Sequence, residues 1–140
     1  MTPILEVRDI HTFIGQFHIL EGVSVSVASG GITVLLGRNG AGKTTTLRSI
    51  MGLTPPTRGS IQFDGTPIQG KSTHAIAQMG IGYVPEHRAI FKGLTVRENL
   101  ILAERKTGDY ARKADFIFEL FPDLKRLIEL KAPDIIIRNE

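Results

Sequence analysis

Lys43 and Thr44 close the stretch Gly37-Arg38-Asn39-Gly40-Ala41-Gly42-Lys43-Thr44, in which glycines precede a cation and a hydroxyl. Glycine lets the backbone fold so that successive N–H groups converge on one point, and a helix starting there adds its positive end. The spacing is that of the G-x-x-x-x-G-K-[ST] phosphate-binding loop. Its natural ligand is a triphosphate, whose clustered negative charges need several donors at close range. On this reading Lys43 reaches the β- and γ-phosphates and the Thr44 hydroxyl ligates Mg²⁺. Gly37, Arg38, Asn39, Gly40, Ala41, Gly42, Lys43, Thr44 and Thr45 form the candidate nucleotide-binding stretch.

Such a loop works only between a strand and a helix, and the flanking sequence predicts both. Ile32 to Leu36 is a continuous apolar run, the pattern of a strand buried on both sheet faces, and Thr45 to Met51 reads as a short helix ended by Gly52. Further upstream, Ile4 to Val7 predicts a strand. Val23, Val25 and Val27 alternate with serines and Ala28, as in a half-buried strand, before Ser29-Gly30-Gly31 turns the chain. Ser60 to Phe63 predicts a short strand entering an Asp64-Gly65 turn, and Ser72 or Thr73 caps a helix through Met79. Ile81 to Val84 predicts another buried strand, stopped by Pro85.

The second half is helical in pattern. Thr95-Val96-Arg97-Glu98 matches a capping box, with the helix continuing to Arg105, and Asp109 is placed to cap the next helix. Ile117, Leu120, Phe121 and Leu124 keep helical spacing, which Pro122 breaks or kinks. Pro133 precedes an Ile135–Ile137 run that reads as a final strand.

Composition narrows the function classes. The 140 residues carry 41% hydrophobic and 22% charged residues, which suits one globular unit with a core. Without cysteine there is no disulfide framework, thiolate metal site or cysteine nucleophile. Seventeen basic and fourteen acidic residues are scattered rather than blocked, which argues against nucleic acid as a partner. Glu6, Arg8 and Asp9 interrupt the apolar N-terminus, unlike a signal peptide, and no run approaches the ~18 apolar residues of a membrane span. The expectation is a chain that does not insert into a membrane. His11, His18, His74 and His87 lack metal-site spacing and read as surface or loop residues.

LLGRNGAGKTTTLRSIMGL, IGYVPEHRAIF and LTVRENL, in this order and spacing, resemble the ATP-binding subunits of ABC transporters, in the LivF-like branch of branched-chain amino acid importers. Urea importers have closely similar subunits. The resemblance runs from about residue 4 to 126. It implies an α/β phosphate-loop ATPase core with an N-terminal antiparallel β part, incomplete on its C-terminal side: the phosphate loop at 37–45, a Q-loop and helical segment at 82–126, and a divergent tail at 127–140. It further implies ATP and Mg²⁺ as ligands, and membrane permease subunits and a second ATP-binding subunit as partners. The corresponding location is peripheral, on the cytoplasmic face of the cell membrane.

The family's roles transfer residue by residue. Glu86 stands where most members have the Q-loop glutamine, which touches Mg²⁺ and the attacking water; glutamate matches the branched-chain subgroup, and a carboxylate can ligate Mg²⁺. A solvated loop charge is the other reading of Glu86. The family stacks an aromatic residue on adenine just ahead of an N-terminal glycine. Here Phe13-Ile14-Gly15 holds that place with an aliphatic residue before the glycine, leaving Phe13 or Phe17 as stacking candidates and a core role as the alternative for either.

After Arg126 the resemblance fails. The LSGGQ-type signature and the later switch histidine do not occur in this sequence. Pro133 to Glu140 has the outline of the family's P-x-h-h-h-h-D-E strand, which would put Asn139 at the metal-holding Asp and Glu140 at the catalytic Glu. The interval from Lys43 is shorter than the family's, Arg138 replaces an apolar residue, and a chance isoleucine-rich ending of a truncated domain explains the stretch equally well. The resulting expectation is a chain that binds ATP weakly and hydrolyses it poorly by itself.

Overall fold

The computed structural model describes residues 2–87 and 89–131, in two compact units that divide between Tyr83 and Val84. The expected Ile135–Ile137 strand, Asn139 and Glu140 lie outside the described residues.

The first unit is built on a long hairpin. Strands β1 (Pro3–Ile14) and β2 (Phe17–Ala28) pair antiparallel, β3 (Arg58–Phe63) joins the other edge of β1, and the short β4 (Thr66–Pro67) follows, giving the order β2-β1-β3-β4. The predicted strands at Ile4–Val7 and Ser60–Phe63 are present, the first of them longer than expected. Asp64 and Gly65, both at positive φ, make the expected tight turn. A register shift lies between Val7 and Ile10, with Asp9 at φ 47. The extra residue lets both Val7 and Ile10 face inward although an odd number of positions separates them.

Helices α1 (Lys43–Ile50) and α2 (Thr73–Gln78) belong to the same unit. The core consists of Val7, Ile10, Leu20, Ile50, Met51, Ile61, Ile68 and Ile76. Ser72 is the α2 cap, its hydroxyl accepting the Ala75 N–H. One polar pair is enclosed in this apolar setting: Thr12 Oγ1 and Ser49 Oγ lie 2.9 Å apart, both buried, tying β1 to α1. Enclosure makes the pair selective, since either hydroxyl left alone would lose its hydrogen bond to water without a replacement.

Two expectations require correction. Ile32–Leu36 and Ile81–Val84 are not strands. Ile32, Val34 and Leu36 are 94%, 69% and 86% exposed, and Val84 is 91% exposed. Ile81 and Tyr83 pack one face of their run against the core. A strand buried on both faces needs flanking strands and covering layers, and none of the described strands pairs with either run. Both have the composition of sheet interior in a setting that offers them no sheet.

The second unit holds α3 (Val96–Leu102), α4 (Asp109–Leu120) and α5 (Pro122–Leu127). The capping box is complete: Thr95 Oγ1 accepts Glu98 N–H, and Glu98 Oε2 accepts Thr95 N–H at 2.7 Å. Helix α3 ends at Leu102, short of the expected Arg105. Asn99 pins the preceding loop, accepting Phe91 N–H at 2.9 Å and donating to Phe91 O and Thr95 O. The chain after α5 returns to the start of α3 through Val96 N–H to Leu130 O and the Arg97–Glu129 ion pair. Pro122 divides α4 from α5, as expected.

The N-cap of α4 is Gly108 in the left-handed region rather than Asp109. Asp109, one residue further in, reaches back to accept Arg105 and Lys106 N–H and pairs with Arg112 at 2.6 Å. The Lys106 backbone N–H, then Arg112, hold its carboxyl down at about 2, below the ordinary 3.8.

Two outcomes follow from this packing. Val34→Lys, which puts a charge on the open apolar run, should lower self-association of the purified chain in light scattering; unchanged scattering would place the association elsewhere. Asp109 ionises more readily folded than unfolded, so its stabilisation is present above its ordinary value and is lost as pH falls from about 4 towards 2. The stability advantage of the chain over Asp109→Asn, followed by amide exchange in α4, should therefore shrink across that window; an advantage independent of pH would contradict the assignment.

Candidate functional site

The stretch 37–45 lies in the first unit, where the chain turns at Asn39–Gly40, bends at Ala41–Gly42 and enters α1 at Lys43. Ala41 N–H donates to Arg38 O at 3.0 Å, closing the turn, and Gly40 and Gly42 take φ values of 85° and 101°. Gly42 is the N-cap of α1 and has no side chain to satisfy the first helical donors. The N–H groups of Lys43, Thr44 and Thr45 are thus the free donors of a helix start.

Local charge departs from the usual helix preference. The first turn of α1 has no acidic residue and begins instead with Lys43, a cation at the positive end of the helix. Lys43 Nζ donates to the carbonyls of Gly37 and Arg38, the latter at 3.3 Å, so the loop's own oxygens hold the ammonium in place over it. Free donors, a positive helix end and a lysine without an acidic partner within the loop form a cationic site whose complement is a multiply charged anion.

The threonines divide in role. Thr44 is exposed, whereas Thr45 and Thr46 are buried, Thr46 Oγ1 donating back to Gly42 O at 2.8 Å. The hydroxyl expected to ligate Mg²⁺ belongs to the exposed residue, and the Thr46 bond closes the first turn. Close packing also fixes the loop from below. A Cβ built on Gly42 would stand 2.8 Å from Leu20 Cδ2 and 3.9 Å from Ile19 Cγ2, so α1 starts directly against β2. Sequence spacing carries no sign of this contact or of the Thr12–Ser49 tie, which join residues far apart in the chain.

The remaining candidates are placed as follows. Phe13 lies on β1 with its ring stacked on His18, centroids 4.3 Å apart and planes at 8°. His18 Nε2 is 3.0 Å from His11 Nδ1, and the outer nitrogens of the two rings face Glu21 at 3.7 Å and Asp9 at 3.4 Å. Among the described residues no group of three or more potential ligands is arranged for a metal. Glu86 is an exposed residue of the second unit, outside the unit that carries the loop.

A strand hairpin supporting a phosphate loop that opens a helix defines a phosphate-loop nucleotide-binding domain. The particular family follows from comparison. The ABC transporter family model matches residues 20–132, and the chain belongs to that family. It is 38% identical over 131 residues to the high-affinity branched-chain amino acid transport ATP-binding protein of Pseudomonas aeruginosa, covering 92% of this chain and 56% of that protein. It is 31% identical over 140 residues to the xylose/arabinose import ATP-binding protein of Sulfolobus acidocaldarius, covering 100% of this chain and 56% of the relative. A solved structure of the ATP-binding subunit of an ABC transporter superposes with a TM-score of 0.78 at 30% identity, over 91% of this chain and 54% of the other. The chain therefore has the fold of the ABC ATP-binding domain and spans little more than half the length of these relatives.

Gly42→Ala tests the tight seat of the loop. The new methyl group meets Leu20 at a backbone φ that favours glycine, and such left-handed strain costs about 1–3 kcal/mol. The midpoint of urea unfolding should fall accordingly, and an unchanged midpoint would mean that Leu20 moves freely away.

Proposed function

We propose that this chain is the Mg·ATP-binding part of an ABC importer subunit serving branched-chain amino acid uptake. The observation that carries the reading is the start of α1, with free donors, Gly42 as an uncapped N-cap and Lys43 in the first turn. The backbone N–H groups of residues 37–45 and the Lys43 ammonium would hold the phosphates, and Thr44 would hold Mg²⁺. Bound there, the metal would supply positive charge to offset that of the phosphates. This chain's own contribution is binding and orientation: the loop positions the phosphates, and the hairpin keeps the loop in shape.

Branched-chain amino acids are the proposed cargo because the Pseudomonas protein is the relative of higher identity across nearly the whole chain. A sugar is the second reading, supported by the match of the entire chain to the Sulfolobus protein. The partners would be permease subunits and a second ATP-binding subunit, with the chain peripheral on the cytoplasmic face of the membrane. No helix among the described residues is long and apolar enough to cross a membrane. We assign residues 1–140 to part of one nucleotide-binding domain. Without a signature segment in this sequence, the purified chain should bind ATP with little turnover, since charge stabilisation on one side of the γ-phosphate is missing.

The test is thermal. At an ATP concentration of about 100 Kd, binding to the folded state contributes about 2.7 kcal/mol, and Tm should rise by several degrees with Mg·ATP. Lys43→Ala should abolish the rise while leaving Tm without ligand nearly unchanged. A rise that survives Lys43→Ala would remove the loop from the binding site, and rapid steady-state hydrolysis by the chain alone would overturn the binding-only reading.

A further inference from the structure

We infer that Thr12 and Ser49 are positioning residues for the phosphate-binding loop: their buried hydrogen bond fixes the rotation of α1 about its own axis, so that the N–H groups of Lys43, Thr44 and Thr45 face the ligand. The inference rests on the nucleotide-binding reading of the loop and assigns part of its affinity to two side chains enclosed in the interior.

A helix of eight residues has little surface with which to hold its orientation. The buried residues of α1 are Thr45, Thr46, Ser49 and Ile50, so three of the four carry hydroxyls and only one is apolar. Apolar contact is non-directional and lets a helix turn on its seat, whereas a hydrogen bond weakens steeply once its donor swings out of line. Thr46 Oγ1 donates to Gly42 O at the start of the same helix, and Arg48 Nε donates to Thr54 Oγ1 in the loop that follows. Among the described residues, the Thr12–Ser49 bond of 2.9 Å is therefore the one side-chain hydrogen bond that joins α1 to the sheet.

Its place along the helix gives the bond its effect. Gly42 and Ser49 are about two turns apart, so both lie on the side of α1 that faces the hairpin. Gly42 meets Leu20, Ser49 meets Thr12, and Thr12 and Leu20 are cross-strand partners in β1 and β2. One rung of the hairpin thus holds both ends of the short helix. Close contact at Gly42 sets how near the helix start lies, and the directional bond at Ser49 sets which way the helix is turned. Backbone atoms lie about 2.3 Å from a helix axis and side-chain ends about 5 Å, so a turn of ~20° moves the first by about 0.8 Å and the second by about 1.7 Å. Shifts of that size take N–H donors out of line with phosphate oxygens and carry the Lys43 ammonium with them.

Substitution separates positioning from stability. A single apolar replacement leaves one buried hydroxyl without a partner, but replacing both removes the bond at little cost to the fold. The double variant Thr12→Val, Ser49→Ala should therefore keep a Tm close to that of the unaltered chain, yet bind both Mg·ATP and tripolyphosphate about tenfold more weakly, the scale of one charge-assisted hydrogen bond. The amide proton and nitrogen shifts of residues 42–45 in the ligand-free chain should move with it. Thr12→Ser, which keeps the hydroxyl and removes a methyl group, should lower Tm but retain the Kd and the amide shifts of the unaltered chain. Each Kd is measured by titration calorimetry well below the Tm of the variant, so that unfolding does not enter. An unchanged Kd in the double variant, or a Kd that weakens in Thr12→Ser together with Tm, would overturn the assignment. If the double variant does not fold, Thr12→Ser decides by the same rule. Overturned in either way while binding still requires Lys43, the inference falls and the loop reading stands. If the unaltered chain binds neither ligand, both fail.

Discussion

The start of α1 depends on close contact with the β1–β2 hairpin. Gly42 sits so near Leu20 that no side chain fits between them, and Thr12 and Ser49 fasten the next turns through a buried hydrogen bond. A phosphate loop needs its donors aimed before ligand arrives, since ordering them on binding would cost about 1–2 kcal/mol of backbone entropy per residue. Packing against a sheet settles that cost during folding. The hairpin thus supports the loop directly and brings the end of β2 to the same side.

That support is confined to one side. The antiparallel strands have a well-formed core of Val7, Ile10, Leu20, Ile61 and their neighbours. By contrast, Ile32, Val34 and Leu36, which lead into the loop, meet solvent. The phosphate loop is consequently packed closely where it enters α1 and flanked by exposed residues where it follows Leu36. In the second unit, order comes mainly from polar ties: the Thr95–Glu98 box, the Asn99 bonds and the Asp109 contacts with Arg105, Lys106 and Arg112. Phe116, Leu120 and Phe121 remain exposed there, an apolar surface without cover among the described residues.

Much of this was readable in advance because its physics is local. The Thr95 capping box, the Asp64-Gly65 turn and the Pro122 break each involve residues within a few positions of one another, and each is present, as is a cap at Ser72, one of the two candidates for α2. Asp109 was misplaced by one position for an equally local reason. Gly108 adopts the left-handed cap, so the carboxylate reaches backward instead of ending the chain's turn. The two missing strands are a different kind of error. Apolar content expresses a demand for burial on both faces, and only neighbouring strands can meet it.

Sequence alone therefore determined the family and the phosphate-loop pattern, since residue identity and spacing carry that information, whereas the structure placed Lys43 in the first turn of α1. Tertiary structure decided which face of the hairpin each aromatic residue occupies. Phe13 and Phe17 are equivalent by composition and nearly so by position. They differ because strand alternation and one register shift send Phe13 to His18 and return Phe17 to the face of Thr12 and Leu20. Face and register are properties of paired strands, and neither exists until the hairpin has formed.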